Sequence, residues 1–137
     1  MFTHNVTDIR VRYADTDQMG VVYYGNYARF YEIGRVETLR YLGLSYKELE
    51  AAGTQMPVYD LQSRFLRPAR YDDLLTIRVT IPQLPKTRLL FTYEVFNQDG
   101  TLLNTGQTTL VFLPGGTARP GLAPAQLVDA LKPFFGE

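Results

Sequence analysis

Apolar and polar residues alternate near the start of the chain. Thr7, Ile9, Val11 and Tyr13 interleave with Asp8, Arg10 and Arg12, a period of two that predicts a strand with one wet face. From about residue 24 to 42 the period lengthens. Tyr27, Phe30, Tyr31, Val36, Leu39 and Leu42 fall near helical spacing, with Glu32, Arg35, Glu37 and Arg40 between them. A helix of about 18 residues is roughly 27 Å long, enough to cross a small sheet. Its apolar positions spill round the cylinder, as they do when a sheet curls about a helix. Gly43 marks its end. Ser45 followed by Glu48 is a capping box for a short second helix that stops at Gly53.

After that the pattern is strand upon strand. Tyr59, Leu61 and Phe65 alternate with Asp60, Gln62 and Arg64. Leu75, Ile77, Val79 and Ile81 alternate with Thr76, Arg78 and Thr80, and Phe91, Tyr93 and Val95 with Thr92 and Glu94. Asp99-Gly100 is a tight turn into a further strand over about 101–112, and residues 82–86 form a looser connection earlier. Pro114, Gly115 and Gly116 close that strand, and Pro124 opens a terminal helix over 125–131. One long helix and an antiparallel sheet bury their apolar faces most simply on each other, which predicts an α+β two-layer fold.

Composition adds what the pattern cannot. At 137 residues, 45% hydrophobic and 20% charged, the chain has the size and make-up of one packed domain spanning 1–137. Lys+Arg 14 balance Asp+Glu 14, so no global field attracts nucleic acid, and an anionic ligand must be held by local groups. Zero net charge also permits self-association. Cys 0 excludes disulfides, thiolate metal sites and Cys nucleophiles, and His 1 leaves an ordinary zinc site or His-based triad unsupported. Carboxylates, hydroxyls and backbone dipoles remain, and no metal is expected. No apolar run reaches signal-peptide or membrane-span length, so a cytoplasmic location without a membrane span is the expectation.

The stretch from Tyr13 to Tyr27 joins the first strand to the long helix and holds two carboxylates, Asp15 and Asp17, two residues apart. Its far end presents unsatisfied backbone N–H groups and the positive end of the helix dipole. A thioester carbonyl gains negative charge as a nucleophile adds, so fixed N–H donors aimed at it lower the barrier. The amides near Tyr24, Gly25 and Asn26 are the candidates, and Gly25 has no side chain to obstruct a carbonyl. Losing such a donor typically costs about 100- to 1000-fold in rate. Asp-Thr-Asp before a helix is also a common set of caps and Asx-turns, and local chemistry leaves both readings open.

The run Tyr13-x-Asp15-Thr16-Asp17-x-x-Gly20-Val21-Val22-Tyr23-x-x-Asn26-Tyr27 resembles the signature of the 4-hydroxybenzoyl-CoA thioesterase family, in particular its Tol-Pal-associated short-chain acyl-CoA thioesterases. Phe30-Tyr31-Glu32, Arg35-Val36-Glu37 and Phe65-x-x-Pro68-Ala69-x-Tyr71-Asp72-Asp73 resemble later landmarks, so the likeness spans about residues 8 to 112. The resemblance implies a hot-dog fold, an antiparallel five-stranded sheet wrapped around one long central helix. It also implies dimers that often form homotetramers, with active sites at the protomer interface. The activity implied is hydrolysis of an acyl-CoA thioester to a free acid and CoA, with CoA as part of the substrate and no cofactor.

The same resemblance makes Asp17 the catalytic carboxylate, either a base that activates water or a nucleophile that forms an anhydride. It makes the helix-start amide near Tyr24 the donor to the carbonyl. Many relatives carry histidine where this chain has Tyr24, so any work of that imidazole is absent here. Asp15 is expected to cap the turn, and Glu32 and Glu37 to pair with Arg29, Arg35 or Arg40. Lys86 and Arg88, at a turn between strands, are candidates for the CoA phosphates or are edge charges. Arg64, Arg67 and Arg70 read as solvent-facing, His4 as idle, and Tyr59 and Phe65 as core. The alternatives are a thioesterase acting on acyl carrier protein and a non-catalytic acyl-CoA-binding protein. A dehydratase, which relies on a paired histidine and acid, is disfavoured.

Overall fold

A computed structural model describes residues 1–136. Five strands form one antiparallel sheet in the order β1-β4-β5-β6-β3: β1 (Phe2–Arg10), β3 (Val58–Phe65), β4 (Leu74–Ile81), β5 (Arg88–Phe96) and β6 (Leu102–Val111). Two short strands, β2 (Thr54–Gln55) and β7 (Leu113–Pro114), pair separately. The long helix α1 (Tyr27–Tyr41) packs on β1, β4 and β5, α2 (Tyr46–Ala51) lies against β2, and α3 (Ala125–Leu131) runs into a closing 3-10 turn. This is the α+β hot-dog arrangement. None of the described helices is long and apolar enough to cross a membrane.

The helix meets the sheet through Phe30, Tyr31 and Leu39, buried against Leu75, Ile77, Val79, Phe91, Tyr93 and Val95. Each such side chain, fully buried, contributes about 1.5–3 kcal/mol. The rings of Tyr31 and Tyr93 stack 4.4 Å apart. Gly34 sits where a Cβ would meet methyls of Val79 at 3.0 Å and Ile77 at 3.2 Å, so a weak helix former stands where the layers come closest. Gly43 adopts φ +83° and closes the helix, and the Ser45 hydroxyl accepts the Glu48 N–H at 3.1 Å to start α2, both as expected.

Two expectations are corrected. The first strand was expected over residues 7–13 but runs Phe2–Arg10, and Tyr13–Asp15 coils into a 3-10 turn. The pairing register shifts between Val6 and Ile9, with Asp8 at φ 63°. This bulge changes which face the side chains take, so Phe2 and Val6 are buried on one phase and Val11 on the other, while Tyr13 lies exposed. The stretch 24–42 is likewise composite, with a 3-10 turn at Tyr24–Asn26 ahead of α1.

The second correction concerns β3. Tyr59 and Phe65, expected in the core, are 63% and 53% exposed, beside exposed Val58, Leu61 and Leu66. β3 is an edge strand paired only to β6, so its outer hydrogen-bonding edge is open, and its apolar side chains stay largely exposed although Phe65 touches Tyr24 and Tyr27 and Tyr59 lies under Arg88.

Candidate active site

The loop that carries Asp17 is a miniature hairpin. Thr16 bridges Val22, the Asp17 N–H donates to the Val21 carbonyl at 2.9 Å, and the Gly20 N–H donates to the Asp17 carbonyl at 3.0 Å. The turn needs Gly20 at φ +78°, a conformation glycine adopts without strain. One carboxylate oxygen of Asp17 accepts the Met19 N–H at 2.9 Å, an Asx-turn that fixes the side chain. Among the described residues no cation pairs with it. The half-buried carboxylate opens on a groove of about 650 Å³ lined by Tyr13, Thr16, Gln18, Gly20 and Tyr71. The rings of Tyr13 and Tyr71 touch in its lining, with centroids 5.2 Å apart.

Asp15 has the opposite character. It is buried, ion-paired to Arg29, and accepts the Arg12 N–H at 2.8 Å. Its carbonyl accepts both the Tyr23 N–H at 2.9 Å and the Asn26 side-chain amide at 2.8 Å. With every acceptor group engaged, it caps the turn. Asp17 is therefore the carboxylate with an open oxygen.

At the helix start, Tyr24 and Gly25 are the first two residues of the 3-10 turn, so no preceding turn of helix accepts from their N–H groups. Asn26 differs, because its N–H donates to the Tyr23 carbonyl at 2.9 Å. With its side-chain amide given to Asp15, Asn26 ties the loop to the helix. Gly25 lies under the Tyr23 ring, where a Cβ would come within 2.7 Å of the ring edge. Tyr24 is exposed, packs tilted against Tyr23 at 4.6 Å and meets Phe65 of β3 edge-on at 6.5 Å. The Tyr23 phenol is raised above its ordinary pKa, first by its hydrogen bond with Tyr24.

Lys86 and Arg88 lie elsewhere. They line a groove of about 520 Å³ with Gln83, Leu84, Thr87 and Gln107, and the Arg88 guanidinium stands 4.8 Å over the Tyr59 ring. One chain does not bring them into the groove of Asp17, and that groove does not include Tyr24 or Gly25. The helical charges behave as their spacing predicts in one case, Glu37 with Arg40 at 3.2 Å. Arg35 is instead buried and donates to the Tyr46 hydroxyl at 3.1 Å, while Arg29 serves Asp15. His4 stacks on Tyr41 at 4.2 Å. Among the described residues, no three or more His, Cys, Asp or Glu side chains cluster as metal ligands would.

Sequence reasoning missed two parts of the site. Tyr71 belongs to a segment whose Arg70 bridges Val21, and it lines the Asp17 groove. Nothing local in the sequence places it beside Tyr13. The Asp15–Arg29 pair was also unread, although the two residues flank the loop from strand end to helix start.

Comparison with known proteins agrees with this architecture. Residues 19–104 match the thioesterase superfamily. The chain is 36% identical over 124 residues to the Escherichia coli protein named acyl-CoA thioester hydrolase YbgC, covering 90% of this chain and 92% of that one. A hypothetical protein from Thermus thermophilus superposes with a TM-score of 0.85 at 37% identity, covering 95% of this chain and 96% of the other. A DHNA-CoA thioesterase from Staphylococcus aureus superposes with a TM-score of 0.84 at 32% identity, covering 99% of this chain and 85% of its own. The signature loop, the sheet curled on one helix and these likenesses converge: the chain belongs to the thioesterase superfamily, among the hot-dog thioesterases.

Proposed function

We propose that this enzyme hydrolyses acyl-CoA thioesters, with Asp17 as the catalytic carboxylate and the amides of Tyr24 and Gly25 as donors to the carbonyl oxygen. The observation that carries the reading is the contrast within the loop. Asp15 has every oxygen committed, whereas Asp17 keeps an oxygen open on a groove. Two amides without helical acceptors begin the turn that follows. Negative charge that builds on the carbonyl oxygen is met by those N–H groups and by the positive end of α1. The carbon–sulfur bond breaks, the CoA sulfur takes a proton, and water supplies the hydroxyl of the free acid. Asp17 either removes the proton from that water or attacks first, and water then opens the anhydride. After single turnover in heavy-oxygen water, label in the Asp17 carboxylate identifies the second route, with water attacking the aspartyl carbonyl of the anhydride.

The reading includes a second copy of the chain. Pairing β3 with β3 of another copy, antiparallel about a two-fold axis, would cover Val58, Leu61 and Phe65 and satisfy the open edge. Tyr59 and Arg88 mark one end of β3, and Phe65 with Tyr24 the other. The two-fold therefore sets Lys86 and Arg88 of one copy toward the Tyr24–Gly25 end of its mate, where they are placed to hold CoA phosphates. Dimers of this kind can pair again into a homotetramer. The enzyme works in the cytoplasm, as one domain, without a cofactor beyond the substrate.

Release of CoA from an acyl-CoA panel, run beside matched acyl carrier protein substrates, tests the activity. Sedimentation of the wild type and of Leu61→Glu tests the pairing. A wild type that turns over no thioester would remove the enzymatic reading in favour of acyl-CoA binding alone. A wild type that sediments as a monomer would remove the shared site.

A further inference from the structure

The catalytic carboxylate and the carbonyl-facing amides sit on different segments, and among the described residues Asp17 makes its hydrogen bonds to Met19, Gly20 and Val21, not to Tyr24 or Gly25. Their spacing must be set by something else. Asp15 is the residue on which all the relevant segments converge. Its carboxylate holds the Arg12 N–H at the end of the first strand's extension and the Arg29 guanidinium in the first turn of α1. Its carbonyl holds the Tyr23 N–H, one residue before the donor amides, and the Asn26 side chain, one residue after them. Asp17 follows two residues later, inside a hairpin whose Thr16–Val22 bridge closes directly above this anchor.

We infer that the Asp15–Arg29 pair is a positioning brace for the thioesterase reaction, fixing the Asp17 loop against the Tyr24–Gly25 turn while touching no substrate. The proposal rests on the hydrolase reading above and extends it to the residues that align its two halves. The geometry favours this role over simple loop stability. Asp15 is only 6% exposed, and its partners Tyr23 and Asn26 flank the donor amides while Arg12 and Arg29 belong to the segments that lead into the loop and out of it. Arg29 is half exposed and also rests over the Phe30 ring at 5.0 Å, so it is a lateral strut and not part of the core. A buried carboxylate that loses its cation is left uncompensated, and the loop must move to rehydrate it. A shift of about 1 Å between reacting groups costs on the order of 100-fold in rate.

The test measures kcat and KM for acyl-CoA in wild type, Arg29→Met, Arg29→Lys, Asp15→Asn and the double variant Asp15→Asn/Arg29→Met, with a thermal melt of each. The brace predicts that Arg29→Met loses roughly 10- to 100-fold in kcat with KM nearly unchanged. Arg29→Lys, which keeps the charge, recovers much of the loss. The double variant is no worse than the poorer single one, because the two residues act as a unit. A kcat within about twofold of wild type in both Arg29→Met and Asp15→Asn would overturn the brace. So would a loss that appears only in KM, or one that follows thermal stability alone and is not relieved by lysine. If Arg29→Met does not fold, the same comparison between Arg29→Lys and Asp15→Asn decides. Failure of the hydrolase reading looks different, since wild type itself would then release no CoA.

Discussion

Gly25 offers a test of how closely the substrate carbonyl approaches the backbone. Nothing in its backbone conformation requires glycine, so an alanine there is not strained by φ. The obstacle is spatial: the new Cβ would lie 2.7 Å and 3.2 Å from two carbons of the Tyr23 ring. Carbon atoms rest at about 3.5–4.0 Å, so the ring edge must retreat by roughly 1 Å. Tyr23 is 46% exposed and has room to swing outward, so Gly25→Ala should change folding stability by no more than about 0.5 kcal/mol. Activity is another matter. The Tyr23 ring leans on Tyr24 at 4.6 Å, and displacing it disturbs the residue whose amide is proposed to face the carbonyl.

Gly25→Ala should therefore lower kcat by about 10- to 100-fold while the melting curve stays in place. Adding Tyr23→Ala separates two causes. Recovery of kcat in the double variant identifies the ring as the relay, and continued loss identifies the Cβ itself as a block to the carbonyl. A Gly25→Ala enzyme that turns over acyl-CoA within about twofold of wild type would refute the argument that this turn receives the carbonyl.

Two further predictions concern the fold. The Tyr31 hydroxyl bonds Ser63 at 2.7 Å and also the side-chain oxygen of Asn104, which is fully buried. Tyr31→Phe leaves that oxygen without its donor and should cost about 1–3 kcal/mol, read as a fall in Tm by circular dichroism; an unchanged Tm would contradict it. Burial raises the phenols of Tyr27 and Tyr46 to about 12 from an ordinary value of 10.0. Unfolded, both ionise near 10, so their contribution to stability is complete below pH 10 and is lost as pH rises to about 12. Denaturant melts at several alkaline pH values should show that decline; the exposed tyrosines ionise first, and the remaining rise in tyrosinate absorbance should come only with unfolding.

Much of the fold was legible because strict period-two runs leave little choice. Leu75, Ile77, Val79 and Ile81 form a strand in any environment that buries one face, and they do so here within a residue of the expected bounds. The first strand was misplaced because its alternation changes phase at a bulge, and Asp8 in a left-handed conformation leaves no mark on a hydropathy pattern. Tyr59 and Phe65 misled for a different reason. Their alternation is genuine, but β3 is an edge strand and both side chains stay more than half exposed in the single chain. The carboxylate pair and the helix start could be read locally. The roles of Asp15 and Asp17 diverge only through Arg12, Tyr23, Asn26 and Arg29, contacts that span up to 14 positions of sequence. Lys86 and Arg88 were singled out by their turn, and one chain leaves them apart from Asp17.

The central claim is that the open carboxylate of Asp17 performs the hydrolysis. Asp17→Asn keeps the side-chain oxygen that accepts the Met19 N–H, so the loop should hold its shape while the negative charge is removed. Measured against wild type on the acyl-CoA that wild type cleaves best, with matched thermal melts, Asp17→Asn should lose at least about 100-fold in kcat. Equal rates of CoA release from the two proteins would contradict the account.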